Sequence, residues 1–246
     1  MKGYGPETFG QLNAEHYDGE YDSPRNVETL AAVQTLFDLA AGGPVLEFAI
    51  GTGRIALPLA ARGLPVSGIE ASPEMVAKLR EKPGGAAIPV VIGDMAEARA
   101  EGAFDLVFLV FNTLFNLTSQ AAQVSCFRNA ARHMTERGVF VIEAFVPEIA
   151  AYADGQRTRT VHVAMDQLVV EASLHDPLTQ TIHYQYVTTT PRGVRMTPLP
   201  MRYAWPAEID LMAQLAGLEL RERWGDWDRS AFRASSPKHV SVYGRP

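Results

Sequence analysis

Apolar runs and helical stripes alternate along the first 150 positions. Short, nearly continuous apolar runs fall at 45–50, 66–70, 89–92, 104–111 and 138–145, with polar or amphipathic stretches between them. The first run, Val45-Leu46-Glu47-Phe48, passes into Ala49-Ile50-Gly51-Thr52-Gly53-Arg54 and then a small apolar stretch from Ile55. A strand, a glycine turn and a helix in that order form the opening unit of a nucleotide-binding α/β domain. Upstream, Val27, Leu30, Ala31, Val33, Leu36, Phe37 and Leu39 mark one face of a helix that ends at Ala41-Gly42-Gly43-Pro44. Downstream, Gly63-Leu64-Pro65 stops the helix that follows the turn. The second run ends in Glu70, and Ser72, Pro73 and Glu74 then supply the cap, first turn and acid of a helix reaching about Lys82. The third run closes on Gly93-Asp94-Met95 and the fourth on Asn112-Thr113-Leu114-Phe115-Asn116. A helix through about His133 leads to the fifth. Five strands alternating with helices predict an α/β fold with a parallel, doubly wound sheet.

The rhythm changes after Pro147. Residues 158–204 are rich in Val, Thr, Tyr and Ile, with turn signals at Asp176-Pro177 and Pro191-Arg192-Gly193, which predicts antiparallel strands laid over the open edge of the main sheet. A helix over 206–216 capped by Gly217, strands at 218–224 and 240–243, and a long turn between them complete the chain. Residues 1–26 are polar and aromatic, with Tyr4, Phe9, Tyr17 and Tyr21 among His16, Asp18 and Asp22. Tyr17 and Tyr21 share a face if this piece is helical, and they suit either a cap over a pocket or plain core packing. The expected organisation is thus a cap at 1–26, a core at 27–147 and 206–246, and a small antiparallel β insertion at 148–205 after the fifth strand.

Length and composition narrow the function. A chain of 246 residues, 47% hydrophobic and 20% charged, suits one globular domain with an insertion. A net charge of −6 without a basic run gives no help to nucleic-acid binding. Cys126 is the only cysteine, so no internal disulfide forms and a reducing cytoplasm fits best. No run approaches the roughly 18 apolar residues of a membrane span, and residues 1–9 lack the apolar core of a signal peptide. No group of His, Asp and Glu has metal-ligand spacing.

Ligands of open α/β sheets bind beyond the carboxyl ends of the strands, near the switch in strand order. The Gly51/Gly53 turn, Glu70, Asp94 and Asn112 all fall at such ends. Glu70 stands 17 residues beyond Gly53, where a carboxylate can accept both hydroxyls of a ribose. Asp94 can take an adenine amine while Met95 packs on the ring. Residues 51–56 also satisfy the loose dinucleotide pattern, so the turn alone leaves a nicotinamide oxidoreductase and a non-catalytic adenosine binder open. Glu47, inside the first strand, favours a cationic ligand end over a pyrophosphate.

The ordered set Glu47-Phe48-Ala49-Ile50-Gly51-Thr52-Gly53-Arg54, Gly68-Ile69-Glu70-Ala71-Ser72-Pro73-Glu74-Met75 and Gly93-Asp94-Met95 resembles the class I S-adenosylmethionine-dependent methyltransferases across most of 27–145. The resemblance implies a Rossmann-like methyltransferase sheet. It implies S-adenosyl-L-methionine as cofactor and S-adenosyl-L-homocysteine as product, with Glu47 and the turn at 49–53, Arg54 beside it, holding the methionine end. Glu70 would take the ribose and Asp94 with Met95 the adenine, and Tyr21, Ala71, Met75, Phe111 and Asn112 would be further cofactor-binding residues. Two departures stand out: Ala49 where glycine is frequent, and Glu70 where aspartate is common. Tyr17-Asp18 with Tyr21, the insertion, and Trp227-Asp228-Arg229 with Ser236-Pro237 are similar to small-molecule N-methyltransferases of antibiotic and aminosugar biosynthesis, the lincosamide N-methyltransferases included. In such enzymes the aromatic N-terminus covers the cofactor and the insertion builds the acceptor pocket.

Methyl transfer from a sulfonium needs alignment and exclusion of water more than acid–base help. A neutral amine needs no strong base, and aromatic walls attract a sulfonium. Tyr17 and Phe115 are the expected catalytic residues, with Tyr21 and Phe111 as further aromatic candidates. A hydroxyl acceptor would call for a base, for which His133, His162, His175, His183 and Glu143 are candidates; Asn112 and Asn116 could order the loop or touch the substrate. The expectation is methylation of a small-molecule amine, with O-methylation as the alternative. Exposed strands in the insertion leave pairing into a homo-oligomer open.

Overall fold

The structure, a computed structural model, describes residues 3–21 and 27–246, the side chains of Glu20 and Tyr21 excepted. Helices α1 (Thr8–Asn13), α2 (Tyr17–Tyr21) and α3 (Val27–Ala40) precede β1 (Val45–Phe48). Then come α4 (Ala56–Ala61), β2 (Val66–Glu70), α5 (Pro73–Glu81), β3 (Val90–Ile92), β4 (Phe104–Leu109), α6 (Gln120–His133) and β5 (Met134–Phe145). After the insertion, α7 (Pro206–Leu215) lies between it and two closing strands. The main sheet has seven strands: the order is β3, β2, β1, β4, β5, then the last strand of the chain and the one before it at the edge. The first five are parallel, and the chain winds outward from β1 in one direction before returning beside it as β4. The switch point therefore lies between β1 and β4, where a crevice opens at the carboxyl ends.

Burial on both faces explains why these strands read as continuous apolar runs. In β4, Val107 and Leu109 join Phe127 and Ala130 of α6 and Ile209 of α7 in one core. Leu106 and Phe108 join Leu36 of α3 and Leu59 of α4 in the other. The fifth strand starts at Met134, directly after α6, rather than at Gly138 as the apolar run suggests. Met134 pairs with Phe104 and the register then shifts. Gly138 sits where a Cβ would lie 2.7 Å from the Phe104 carbonyl oxygen, so the glycine marks close strand contact within β5, not its beginning.

The insertion is a four-stranded antiparallel meander of β6 (Gln156–Val163), β7 (Leu168–Asp176), β8 (Thr181–Thr190) and β9 (Gly193–Arg202). β10 (Glu219–Trp224) and β11 (Lys238–Gly244) then finish the main sheet, β11 antiparallel to β5. The register sorts the meander's side chains. Arg159, Glu171, Tyr186 and Thr197 lie in one cross-strand row, and Arg157, Ser173, Tyr184 and Leu199 in the next on the same face. Val170, Val187 and Met196 belong to the opposite face.

The N-terminal segment crosses from the core to this meander. Gly10 has no room for a side chain: a Cβ would stand 2.3 Å from Ser72, so glycine lets α1 lie against the start of α5. Asp18 accepts hydrogen bonds from Thr52 Oγ1 at 2.6 Å and Lys82 Nζ at 2.8 Å. Arg195 of β9 reaches Asn13 Oδ1 at 3.4 Å. The Tyr21 side chain and Asp22 lie outside the described residues.

Candidate active site

Three residues of the turn after β1 have positive φ: Ala49 at 53°, Gly51 at 56° and Gly53 at 84°. Their tasks differ. A Cβ on Gly51 would meet nothing closer than 3.9 Å, so the main chain there is open to a ligand. A Cβ on Gly53 would lie 2.4 Å from Leu79 Cδ1, so Gly53 serves the packing of the turn on α5. Glu70 ties the first two strand ends together. Its Oε2 accepts the Gly51 N–H at 2.8 Å and its Oε1 the Ser72 N–H at 2.9 Å. Burial raises the Glu70 pKa, and these backbone donors oppose the rise.

A cavity lies over the strand ends. Ala49, Gly51, Glu70, Ala71, Met75, Asp94 and Met95 line it from the core, so this part of the expected site is brought together. Tyr17 lines it from α2 and meets Phe9 edge-on, ring centroids 6.2 Å apart. Tyr4 and Phe9 of the expected aromatic cap line it as well, and so do Thr113 and the stretch 117–119, which were not among the expected site residues. The loop after β4 gave no signal, because its residues are placed by the turn and not by a motif.

The remaining expected residues stand behind the wall. Glu47 is fully enclosed in β1; its Oε2 has neither a hydrogen-bond partner nor contact with solvent. Burial drives its pKa well above the ordinary range, with the Ala56 N–H and Arg54 opposing and Glu70 adding to the rise. Arg54 donates to Thr29 Oγ1 at 2.6 Å and 2.9 Å and lies over the Phe111 ring, 3.8 Å from its centroid. Phe111 and Asn112 both adopt left-handed backbone, φ 56° and 64°, a strained pair directly beyond β4. Three contacts hold them: the Phe111 N–H donates to Glu143 Oε2 at 3.0 Å, Asn112 Oδ1 accepts the Phe145 N–H at 2.6 Å, and Arg54 covers the ring. Phe115 is wholly buried, edge-on to Phe145 at 4.8 Å, while its neighbour Asn116 reaches the cavity.

Most base candidates have other partners. His133 accepts the Ala100 N–H at Nε2 and meets the Asn129 carbonyl at Nδ1. His175 Nε2 lies 3.0 Å from the Tyr203 hydroxyl, and Glu143 is 3.3 Å from Lys238 Nζ. His162 is exposed on β6. His183 lines a small side cavity together with Tyr4 and Thr118, which also border the main one. Among the described residues no group of three or more His, Cys, Asp or Glu is placed to hold a metal ion. No helix among them is long and apolar enough to cross a membrane.

Comparison with known proteins agrees with this geometry. Residues 45–138 match a family model described as a methyltransferase domain. The structure of the CcbJ methyltransferase from Streptomyces caelestis superposes with a TM-score of 0.90, at 40% identity over 98% of this chain and 99% of that one. The chain belongs to the S-adenosylmethionine-dependent methyltransferases. Among other methyltransferases, the cypemycin N-terminal methyltransferase from a Streptomyces species is 27% identical over 205 residues, 83% of this chain and 84% of that protein. The S-adenosylmethionine-bound structure of CalS10, an amino pentose methyltransferase from Micromonospora echinaspora, shares the fold at 21% identity, with a TM-score of 0.68 over 94% and 95% of the two chains. The cofactor of this methyltransferase is S-adenosylmethionine. The residues present fit it: an open main chain at Gly51, carboxylates at two strand ends, and aromatic side chains from the N-terminal helices.

Proposed function

We propose that the enzyme methylates a nitrogen atom of a small-molecule amine in natural-product biosynthesis. The observation that carries this reading is the makeup of the cavity. Its two lining acids, Glu70 and Asp94, are engaged by backbone N–H groups, and its other polar lining side chains include Thr113, Asn116, Thr118 and Ser119. Such a lining can orient a neutral amine and has little to offer a hydroxyl that must lose a proton. The 27%-identical relative, an N-terminal methyltransferase by name, supports nitrogen as the acceptor atom.

When bound, the cofactor supplies a methyl group on a sulfonium, an electrophile with a good leaving group. Glu70 would accept the ribose hydroxyls with lone pairs left over from Gly51 and Ser72. Asp94 would take the adenine amine, with Met95, Ala71 and Met75 against the ring and sugar. Ala49 and Gly51 would serve the amino-acid end, with the acid of Glu47 enclosed in β1 behind them. Gly53 and Arg54 support that end from behind, through Leu79, Thr29 and Phe111. Tyr17 and Phe9 would exclude water and present ring surface to positive charge, with Tyr21 on the same short helix. Phe115, Phe111 and Asn112 would shape the acceptor side. On this reading residues 1–26 act as the cap and 148–205 as the acceptor unit.

His183, beside Tyr4 and Thr118, gives O-methylation a specific foothold as the second reading. An acceptor screen with methyl-labelled cofactor separates the two. Labelled product from amines only, with a single ionisation of the amine in the pH profile, is the expected result. Labelled product from phenols or alcohols, lost in His183→Ala, would replace nitrogen by oxygen.

A further inference from the structure

The four-stranded sheet exposes apolar side chains on its outward face, where Leu174, Met196 and Val194 are 57%, 61% and 65% exposed. Its inward face mixes the apolar Ile182 with the buried polar Glu171, Ser173, Thr188 and Thr197. Ser173 and Thr197 find partners within the sheet, in the Arg157 carbonyl and the Arg195 guanidinium. Of these four polar residues, Glu171 is the one that borders the cavity beneath the face, and an acid enclosed there needs a cation or donors beside it.

A cavity of about 570 Å³ opens under this face. Glu171 lines it with a side chain only 1% exposed, bonded at 2.7 Å to Arg159, which is half in solvent. Tyr152 and Tyr184 line it too. The Tyr184 and Tyr186 rings stack nearly parallel, 21° apart with centroids at 6.2 Å. Arg157 and Glu148 form a second pair at the rim, 3.4 Å apart. Two acids against two arginines leave the lining without net charge, which fits a ligand with both donors and acceptors better than a polyanion or a plain hydrocarbon. The position is right for an acceptor. Phe145 lines this cavity and meets Phe115 edge-on at 4.8 Å. The residues flanking Phe115, Thr113 to Leu114 and Asn116 to Leu117, lead into the loop that walls the cofactor cavity. Two phenyl rings therefore stand where the two chambers meet.

We propose that this second cavity is the acceptor chamber, and that Glu171, held in place by Arg159, binds a hydroxyl or ammonium group of a hydroxylated ring amine at a point away from the methylated atom. The proposal rests on the reading of the first cavity as the cofactor site. Glu171 thereby determines which amine is accepted, and the tyrosine rings carry the ring face.

The test uses the full chain saturated with S-adenosylhomocysteine and two probes, glucosamine and cyclohexylamine, followed by saturation-transfer NMR. Glucosamine is expected to bind the wild type, and cyclohexylamine, which has the ring and amine without hydroxyls, to bind more weakly. Glu171→Gln should raise the apparent Kd for glucosamine about tenfold while leaving the thermal shift with S-adenosylhomocysteine unchanged. Tyr184→Phe, which keeps the ring and leaves the ion pair intact, should weaken glucosamine as well; it decides the matter if Glu171→Gln fails to fold. A cofactor-stabilised wild type that ignores glucosamine, or variants that bind it as well as the wild type, overturn the acceptor chamber alone. No thermal shift with S-adenosylhomocysteine in the wild type overturns the cofactor reading and this one together.

Discussion

The two sheets of this methyltransferase place their polar residues by opposite rules. In the seven-stranded sheet both faces are core, and the polar groups and open main chain that line the cavity gather beyond the strand ends at Ala49, Gly51, Glu70 and Asp94. In the four-stranded sheet one cross-strand row of the inward face is polar, from Arg159 and Glu171 across Tyr186 to Thr197. A parallel sheet covered on both sides has only its ends free for chemistry. A meander open to a cavity on one side can use a cross-strand row of its face. The difference separates the two proposed sites: the cofactor at strand ends, the acceptor on a sheet face.

The largest effect belongs to the strand ends. Glu70→Ala is expected to weaken binding of S-adenosylhomocysteine by about 1–3 kcal/mol, because it removes an acidic acceptor and frees the Gly51 and Ser72 N–H groups. Calorimetric titration reads this directly, and unchanged affinity would break the rule for the first sheet. A buried polar group inside the main sheet should affect stability instead of binding. His239 on β11 is enclosed, and burial lowers its pKa from 6.5 to about 4. As pH falls below 6.5 the unfolded chain takes up a proton before the folded one does. The stability present above 6.5 is therefore lost on the way down towards 4, on the order of 1–3 kcal/mol. Burial raises Glu47, Glu70 and Glu143, whose contributions fall as pH rises instead. The comparison of wild type with His239→Asn in urea unfolding at several pH values isolates the histidine, and parallel curves would remove it.

A smaller gain is expected at the glycine turn. Ala49 holds φ 53° at a place where glycine is frequent in the family, so the departure costs conformational energy as well as space. Ala49→Gly should stabilise the protein by about 0.5–1 kcal/mol, after the entropy that glycine gives the unfolded chain is set against the relieved strain. A drop in melting temperature would show that the alanine methyl has a packing role. The smallest effect belongs to the outward face of the meander. Met196→Lys should change stability by no more than about 0.5 kcal/mol and leave the cofactor affinity as it is. A large loss would mean that this face is covered in solution, and sedimentation of the wild type would then show the larger species.

Much of the first sheet could be read in advance. Apolar runs punctuated by Gly63-Leu64-Pro65, Gly93 and the Ser72-Pro73-Glu74 start marked five strands and their helices, and the acids at their ends pointed to an adenosine ligand. The reading failed where a residue's neighbour is distant in sequence. Gly53 and Gly51 look alike in the chain, yet one faces Leu79 and the other the cavity. Phe111 and Phe115 look like site aromatics, yet Arg54 covers the first and Phe145 abuts the second.

The sequence by itself determined the order of the main elements, because local period and turn chemistry specify strands and helices; the switch point beside β1 came from the strand pairing. Spacing of the strand-end residues pointed to an adenosine ligand, and the resemblance of the ordered motifs to a known family supplied the kind of cofactor. Only the tertiary structure decided which face of the insertion is inward, since a two-residue period has no preferred side until its partner is known. The same holds for the cap, which glycine at position 10 and the carboxylate of Asp18 dock onto Ser72, Thr52 and Lys82 far along the chain. Long-range packing, and not local pattern, brought Glu171, Arg159 and the meander's Tyr184 together around one cavity with Tyr152.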